Sequence, residues 1–225
     1  MRLRIRFTKL GKIRWTSHRD IARMWERALR RTQLPAAYSE GFSPRPKISF
    51  GLALPTGGES LAEYLDIDLA EPVATAGLAE RLSTALPGGL DVVRVAEADS
   101  RGSLQQDVTS CSWEIGVPSS TDLAALVDAG LAARELVVSR ERKGHITEDD
   151  IRPAVKQLAV HDGRLVCELA TQPRGVRPAE LLGALGVVAA SADIRRTHQW
   201  IERDGARWEP LPPDAPALNA QERAS

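Results

Sequence analysis

The 225-residue sequence predicts an α+β fold of two tandem ferredoxin-like units with antiparallel sheets, followed by a disordered C-terminal tail. Three observations predict it. Over residues 1–105 the apolar pattern switches between period 2 and period 3.6 in the order βαββαβ. The same order returns over 106–208, with an insertion between the middle strands. Residues 209–225, EPLPPDAPALNAQERAS, are too polar and proline-rich to pack.

In the first unit Leu3, Ile5 and Phe7 alternate with Arg2, Arg4, Arg6 and Thr8, the pattern of a half-buried strand. A helix follows. Ser17 stands three residues before Asp20, a capping-box spacing, and Ile21, Met24, Trp25, Ala28 and Leu29 repeat at i, i+3, i+4, i+7 and i+8. Pro35 ends it, and the Gly- and Pro-broken segment from Tyr38 to Lys47 reads as a loop. Ile48, Phe50, Leu52 and Leu54 share one face of a second strand, closed by Pro55 and the turn residues Gly57 and Gly58. Leu65, Ile67 and Leu69 face inward from a third strand. Leu78, Leu82 and Leu86 mark a helix over 75–86, and residues 90–96 form a fourth strand.

The second unit opens, after the polar stretch 100–110, with a strand over 111–117 and a helix begun by Ser120 or Thr121. A strand over 135–139, a charged excursion, a hairpin turning at Asp162 and Gly163, a helix entered at Pro178 and a strand over 194–201 complete it. Thr147 and Asp150 have the spacing of one more helix cap.

Charge is unevenly placed. Residues 1–50 hold thirteen Lys and Arg against three acids, a surplus of ten, although the whole chain is neutral. A folded cationic surface of this kind faces an anion, most often nucleic acid, or is cancelled by carboxylates elsewhere in the chain. Cys111 and Cys167 stand far apart without a partner motif, so a disulfide framework, a zinc site and an iron–sulfur cluster all lack their ligands. No cofactor and no metal are expected. No run approaches the ~18 apolar residues of a membrane span, and the opening lacks an apolar core of signal-peptide length, which points to the cytoplasm and to no membrane partner.

Several constellations are candidates for chemistry, each with a structural alternative. Arg4 and Arg6 are expected across from Asp66 and Asp68 on neighbouring antiparallel strands, an internal ladder that would neutralise the sheet face. Arg19, Arg23, Arg27, Arg30 and Arg31 fall off the apolar stripe of the first helix with only Glu26 beside them, either as a solvated face or as a contact for phosphate or an acidic partner. Ser17 and His18 open that helix, where the dipole disfavours imidazolium and a neutral ring can act as base or donor. Topology brings Gly57, Gly58, Glu59 and Ser60 toward Lys12, Arg14, Ser17 and His18, the makings of an anion pocket if the glycine amides are free. Tyr38, Phe42, Arg45 and Lys47 mix rings with cations as single-strand binders do, although Phe42 also suits a core plug. The run from Ser139 to His145 reads as a solvated basic turn, and His161 and His198 have no neighbour that suggests a metal or a triad.

Arg6-Phe7-Thr8-Lys9, Gly11, Ser17-His18 with Asp20, Arg27 to Arg31, and Tyr38-Ser39, Gly41-Phe42 and Pro44 leading to Ser49-Phe50 resemble the signature of the bacterial radical-SAM-linked family DUF2344. Beyond residue 70 the resemblance rests on length and on Asp150-Ile151-Arg152-Pro153. It implies a partner: a radical S-adenosylmethionine protein encoded beside such chains or fused to them. Where the family commonly carries Asn before the first loop proline and His after it, this chain has Ser43 and Arg45, so a role for that His is not open here. No Cys-x3-Cys-x2-Cys triad is present, which assigns any cluster chemistry to the partner. Because such enzymes often modify RNA, the resemblance implies a non-enzymatic accessory protein that binds or presents RNA. The alternatives are a metal-independent endoribonuclease using His18 with Lys12 or Arg14, and a protein scaffold for the same partner.

Overall fold

A computed structural model describes residues 1–98, 102–142, 145–189 and 192–211; Ser100, Lys143 and Gly144, and residues 212–225 of the expected tail lie outside the described residues. The first half consists of β1 (Arg2–Lys9), a 3-10 turn (Gly11–Trp15), α1 (His18–Arg31), β2 (Ile48–Phe50), β3 (Glu59–Asp68), α2 (Leu78–Ala85) and β4 (Val92–Glu97). A short α3 (Leu104–Asp107) leads to β5 (Ser110–Gly116), α4 (Leu123–Ala132), β6 (Val137–Arg142), β7 (His145–Asp150), β8 (Val155–His161), β9 (Arg164–Ala170), α5 (Pro178–Ala184), β10 (Asp193–Arg203) and β11 (Ala206–Trp208).

The architecture is mixed α+β around one large, mostly antiparallel sheet. Its strand order is β4-β1-β3-β10-β5-β9-β8, with β2 also paired to β3 and β11 to β10; β6 and β7 form a separate hairpin. Among the described residues the one parallel pairing is β3 with β10, through Glu59↔Arg195 and Ser60↔Arg196. That pairing joins the halves. Each half keeps its own core: Leu3, Ile5 and Phe7 of β1 pack with Ile21, Trp25 and Leu29 of α1 and Leu82 of α2, whereas Trp113, Ile115, Leu165 and Leu181 belong to the second. The Trp25 indole meets the Phe7 ring edge-on at 5.1 Å.

Several expectations are corrected by tertiary contacts. The second strand stops at Phe50, because Leu52 and Leu54 leave the first core and pack against the second. The ladder forms in part: Arg4 faces Asp66, but Arg2, not Arg6, faces Asp68, and Arg6 faces Tyr64. Arg4 holds Asp66 with two parallel bonds of 2.8 and 2.9 Å, and Arg2 reaches Asp68 at 2.7 Å. Arg6 instead donates to Glu209 at 2.7 Å, and Tyr64 donates to the same carboxylate at 3.2 Å. Consequently β1 is buried on both faces, with Arg4 at 7% and Arg6 at 5% exposure, and Glu209 to Leu211 pack against the sheet where disorder was expected. Asp122, not Ser120 or Thr121, caps α4 by accepting the Ala125 amide. Thr147 and Asp150 lie in β7, not at a helix start; Asp150 accepts the Leu136 and Arg152 amides. The described part of the basic segment expected as a loop belongs to paired strands, Ser139 to Arg142 in β6 and His145 in β7.

At the seam, Arg196 is 1% exposed. Its Nε and Nη2 donate to Glu63 at 3.1 and 2.5 Å, Nη2 also donates to the Leu52 carbonyl at 2.9 Å, and its guanidinium lies 5.4 Å from the Trp113 ring centre. Beside it Arg195 donates to Glu59 at 2.7 Å and Gln199 to the Ala62 carbonyl at 2.6 Å.

Arg196→Ala leaves Glu63, whose side chain is 12% exposed, without its partner in the seam and is expected to cost about 3–5 kcal/mol, read as a fall in the urea midpoint. The double change Arg196→Met with Glu63→Leu removes both charges and is expected to recover most of that loss. A second prediction concerns pH. The Arg2 hydrogen bond holds the Asp68 carboxyl below the usual carboxylate range. A depressed folded pKa contributes stability above the unfolded value of about 3.9 that disappears as pH falls through the folded value. Thermal melts of Asp68→Asn should therefore lie below wild type at pH 7 and converge with it as pH drops below that of an ordinary carboxylate.

Candidate nucleic-acid interface

Ser17 opens α1 by accepting the Asp20 amide at 3.2 Å and donating its hydroxyl to the Asp20 carboxylate at 2.7 Å. That hydroxyl bond is the main cause holding the Asp20 carboxyl below its usual range, with Arg23 and Arg19 adding to it. The stripe Ile21, Trp25, Ala28 and Leu29 is buried, which turns Arg19, Arg23, Arg27, Arg30 and Arg31 outward, all of them exposed. Arg23 meets Asp20 at 3.3 Å, an exposed pair of little energetic weight. Arg31 donates to the Ala85 carbonyl at 3.2 Å and Arg81 to the Thr32 carbonyl at 2.9 Å, so α1 and α2 satisfy each other's last turns. Arg19, Arg27 and Arg30 have no salt bridge among the described residues.

The thirteen cations of residues 1–50 thus divide by place. Arg2, Arg4, Arg6 and Arg14 are neutralised by Asp68, Asp66, Glu209 and Asp193 respectively. Lys9, 4% exposed, donates to the Thr16 carbonyl at 3.1 Å, and burial pushes its pKa down. The helix arginines, Lys12, Arg45 and Lys47 stay at the surface.

The expected anion pocket does assemble in part, but the chain supplies its own anion. Gly57 donates its amide to the Arg14 carbonyl at 2.8 Å and Gly58 to the Pro55 carbonyl at 3.0 Å, so neither amide is free. Glu59 sits where a ligand was expected: it accepts the Gly11 amide at 2.8 Å and the Arg195 guanidinium, with Arg14 at 3.8 Å. Despite burial, these donors hold its carboxyl below the usual range. His18 stands apart, exposed at the start of α1 with its ring edge-on to Phe50 at 4.9 Å.

The loop from Tyr38 to Lys47 lies at the other end of α1. Ala37 donates to the Asp68 carbonyl and Lys47 to the Ala37 carbonyl, while Tyr38 and Pro46 form a bridge that closes the loop. Phe42 is fully solvent-exposed at the loop's tip and Tyr38 is 47% exposed, so Phe42 is no core plug. The 14 residues of α1 span about 21 Å at 1.5 Å per residue. The sequence-predicted residues therefore fall into two groups, Lys12, Arg14, Ser17, His18, Gly57 and Gly58 at one end and Tyr38, Phe42, Arg45 and Lys47 at the other, joined by the arginine face.

Two features escaped the sequence reading. Trp15 is 65% exposed with Arg14 stacked 5.2 Å from its ring centre. In the second half His198 stacks on Trp200 at 5.0 Å, Arg207 lies 4.1 Å over the same indole, and burial lowers the His198 pKa. Trp15 is one residue beyond a noted cation, so its place in a basic run was the available signal; for the Trp200 stack the signals were the two-residue spacing of His198 and Trp200 on one strand and the Asp204-Gly205 turn that returns Arg207 to it.

Fold and surface together define a class: an α+β protein whose arginine-rich helix face remains open while its sheet arginines are internally paired. The family model described as "Uncharacterized protein conserved in bacteria (DUF2344)" matches residues 2–178, and the chain belongs to that family. No curated protein matches it. No helix among the described residues is long and apolar enough to cross a membrane.

Burial raises the Cys111 thiol to about 11 and the Cys167 thiol to about 12. Since the thiolate is the reactive form, both are expected to resist iodoacetamide at pH 8 in the folded protein and to react fully in urea, as read by mass spectrometry.

Proposed function

We propose that this protein is a non-enzymatic, cytoplasmic companion of a radical SAM enzyme that binds RNA along the outer face of α1 and presents it to that partner. One observation carries the reading: Arg19, Arg27 and Arg30 stand exposed on one helix face without carboxylate partners among the described residues, while the arginines of β1 are neutralised within the fold. Internal pairing accounts for the sheet arginines and leaves the rest of the surplus on the α1 face and the segments at its two ends. Three of the four large exposed aromatic side chains among the described residues, Trp15, Tyr38 and Phe42, lie in the same fifty residues, a mixture of rings and cations suited to stacking bases and holding phosphates. The radical SAM partner rests on the family resemblance alone. We also read the halves as tandem ferredoxin-like units dividing near residue 105; the recurrence of the order fourth, first, third, second in β4-β1-β3-β2 and β10-β5-β9-β8 supports this.

The test is salt-dependent binding of single-stranded RNA, followed by fluorescence anisotropy. The affinity is expected to fall with log salt by about 0.7 per phosphate neutralised, and Arg27→Ala with Arg30→Ala to flatten that slope. Salt-independent or absent binding overturns the proposal. RNA cut by wild type but not by His18→Ala would make the protein an endoribonuclease instead. Co-purification with the radical SAM partner that survives nuclease treatment and the arginine changes would make it a scaffold.

A further inference from the structure

Trp15 is a large apolar side chain that stands in the open with its ring supported by neighbours. The Gly57 amide donates to the Arg14 carbonyl, which fixes the backbone beside the ring. Gly57 itself has φ +88°, and a Cβ there would lie 2.8 Å from Trp15 Cζ3. The indole therefore rests on bare backbone that only glycine provides. Arg14 holds the ring from its guanidinium side at 5.2 Å while Asp193 fixes Arg14 at 3.1 Å. A ring held this firmly loses little conformational entropy when something stacks on it.

The ring forms one wall of a cavity of about 270 Å³ between the two halves. Pro55, Gly57 and Gly58 line it from the first half, and Arg177, Pro178 and Ile194 from the second. The lining is mostly apolar. Its polar side chain of note is Arg177, which is exposed and has no salt bridge among the described residues. Lys12, in the same 3-10 turn as Trp15, is a second exposed cation at this end of α1. An aromatic wall in an apolar slot, flanked by cations, matches a planar heterocycle attached to phosphate. An apolar protein anchor would make no use of those cations.

We infer that this crevice receives one nucleobase of the bound strand, stacked on Trp15, with Arg177 and Lys12 holding the flanking phosphates. The inference rests on the RNA-binding reading and deepens it, because the strand leaves the arginine face of α1 at the end where Trp15 stands. It also assigns the second half a part in binding, since Arg177, Pro178 and Ile194 close the slot.

The experiment measures a fluorescein-labelled single-stranded RNA decamer on the full chain by anisotropy across a salt series. Trp15→Ala is expected to weaken binding about five- to hundredfold, the equivalent of ~1–3 kcal/mol for one base–aromatic stack, while leaving the salt slope unchanged. Trp15→Phe keeps a ring and should stay near wild type. Arg177→Ala should lower both affinity and slope. Circular dichroism checks that each variant is folded, and if Trp15→Ala is not, Arg177→Ala decides the matter, because wild-type affinity and slope in that variant overturn the crevice inference. If Trp15→Ala binds like wild type while Arg27→Ala with Arg30→Ala binds weakly, the crevice inference falls and the α1 reading stands. If the α1 variant binds normally and Trp15→Ala does not, the reverse holds. Absence of binding in every variant and in wild type overturns both. Loss of a nuclease-resistant protein complex on Trp15→Ala, with RNA affinity intact, makes the crevice a protein-docking site and overturns the inference.

Discussion

The buried guanidinium of Arg196 is the interaction on which the joined sheet depends. β3 and β10 share only two paired positions, too little ladder to hold two halves in one register. Arg196 extends that contact by gripping Glu63 of β3, the Leu52 carbonyl and the Trp113 ring together. A charge this deep is tolerable only when every donor has a partner. Any slip of β10 along β3 would strand it. The same residue that costs most to desolvate therefore specifies the register most sharply.

Leu52 and Leu54 follow from this arrangement. They have the alternation of a strand continuing from Phe50, but the Leu52 carbonyl is drawn to Arg196 and both side chains enter the second core. The segment becomes a crossing between halves instead of ladder. Pro55, Gly57 and Gly58 then arrive beside the 3-10 turn, where Gly57 supports Trp15. The crevice is a by-product of the seam, and its shape is fixed by the seam's rigidity.

Electrostatics divides along the same line. Arginines that point across the sheet meet carboxylates from distant parts of the chain, Asp66, Asp68 and Glu209, and become structural. Arginines on α1 point away from these groups because burial of the apolar stripe orients the helix. A neutral chain thus carries an open cationic surface without violating its own charge balance.

Local elements were readable from the residues themselves. The α1 stripe and its Ser17 cap, the Asp162–Gly163 hairpin and the helix entered at Pro178 all depend on neighbours within about four positions, the range over which caps, turns and helical faces are set. What the sequence alone determined is therefore the element order of the first half, the two apolar cores and the outward arginine face of α1. Only the folded chain decided that the ladder runs from Arg2 and Arg4, that Glu209 answers Arg6 from 203 residues away, that Glu59 fills the anion pocket, and that Trp15 and Phe42 stand exposed. Each of these turns on strand register and on how the halves dock. Those are set by summed long-range packing, to which no local window of sequence is sensitive.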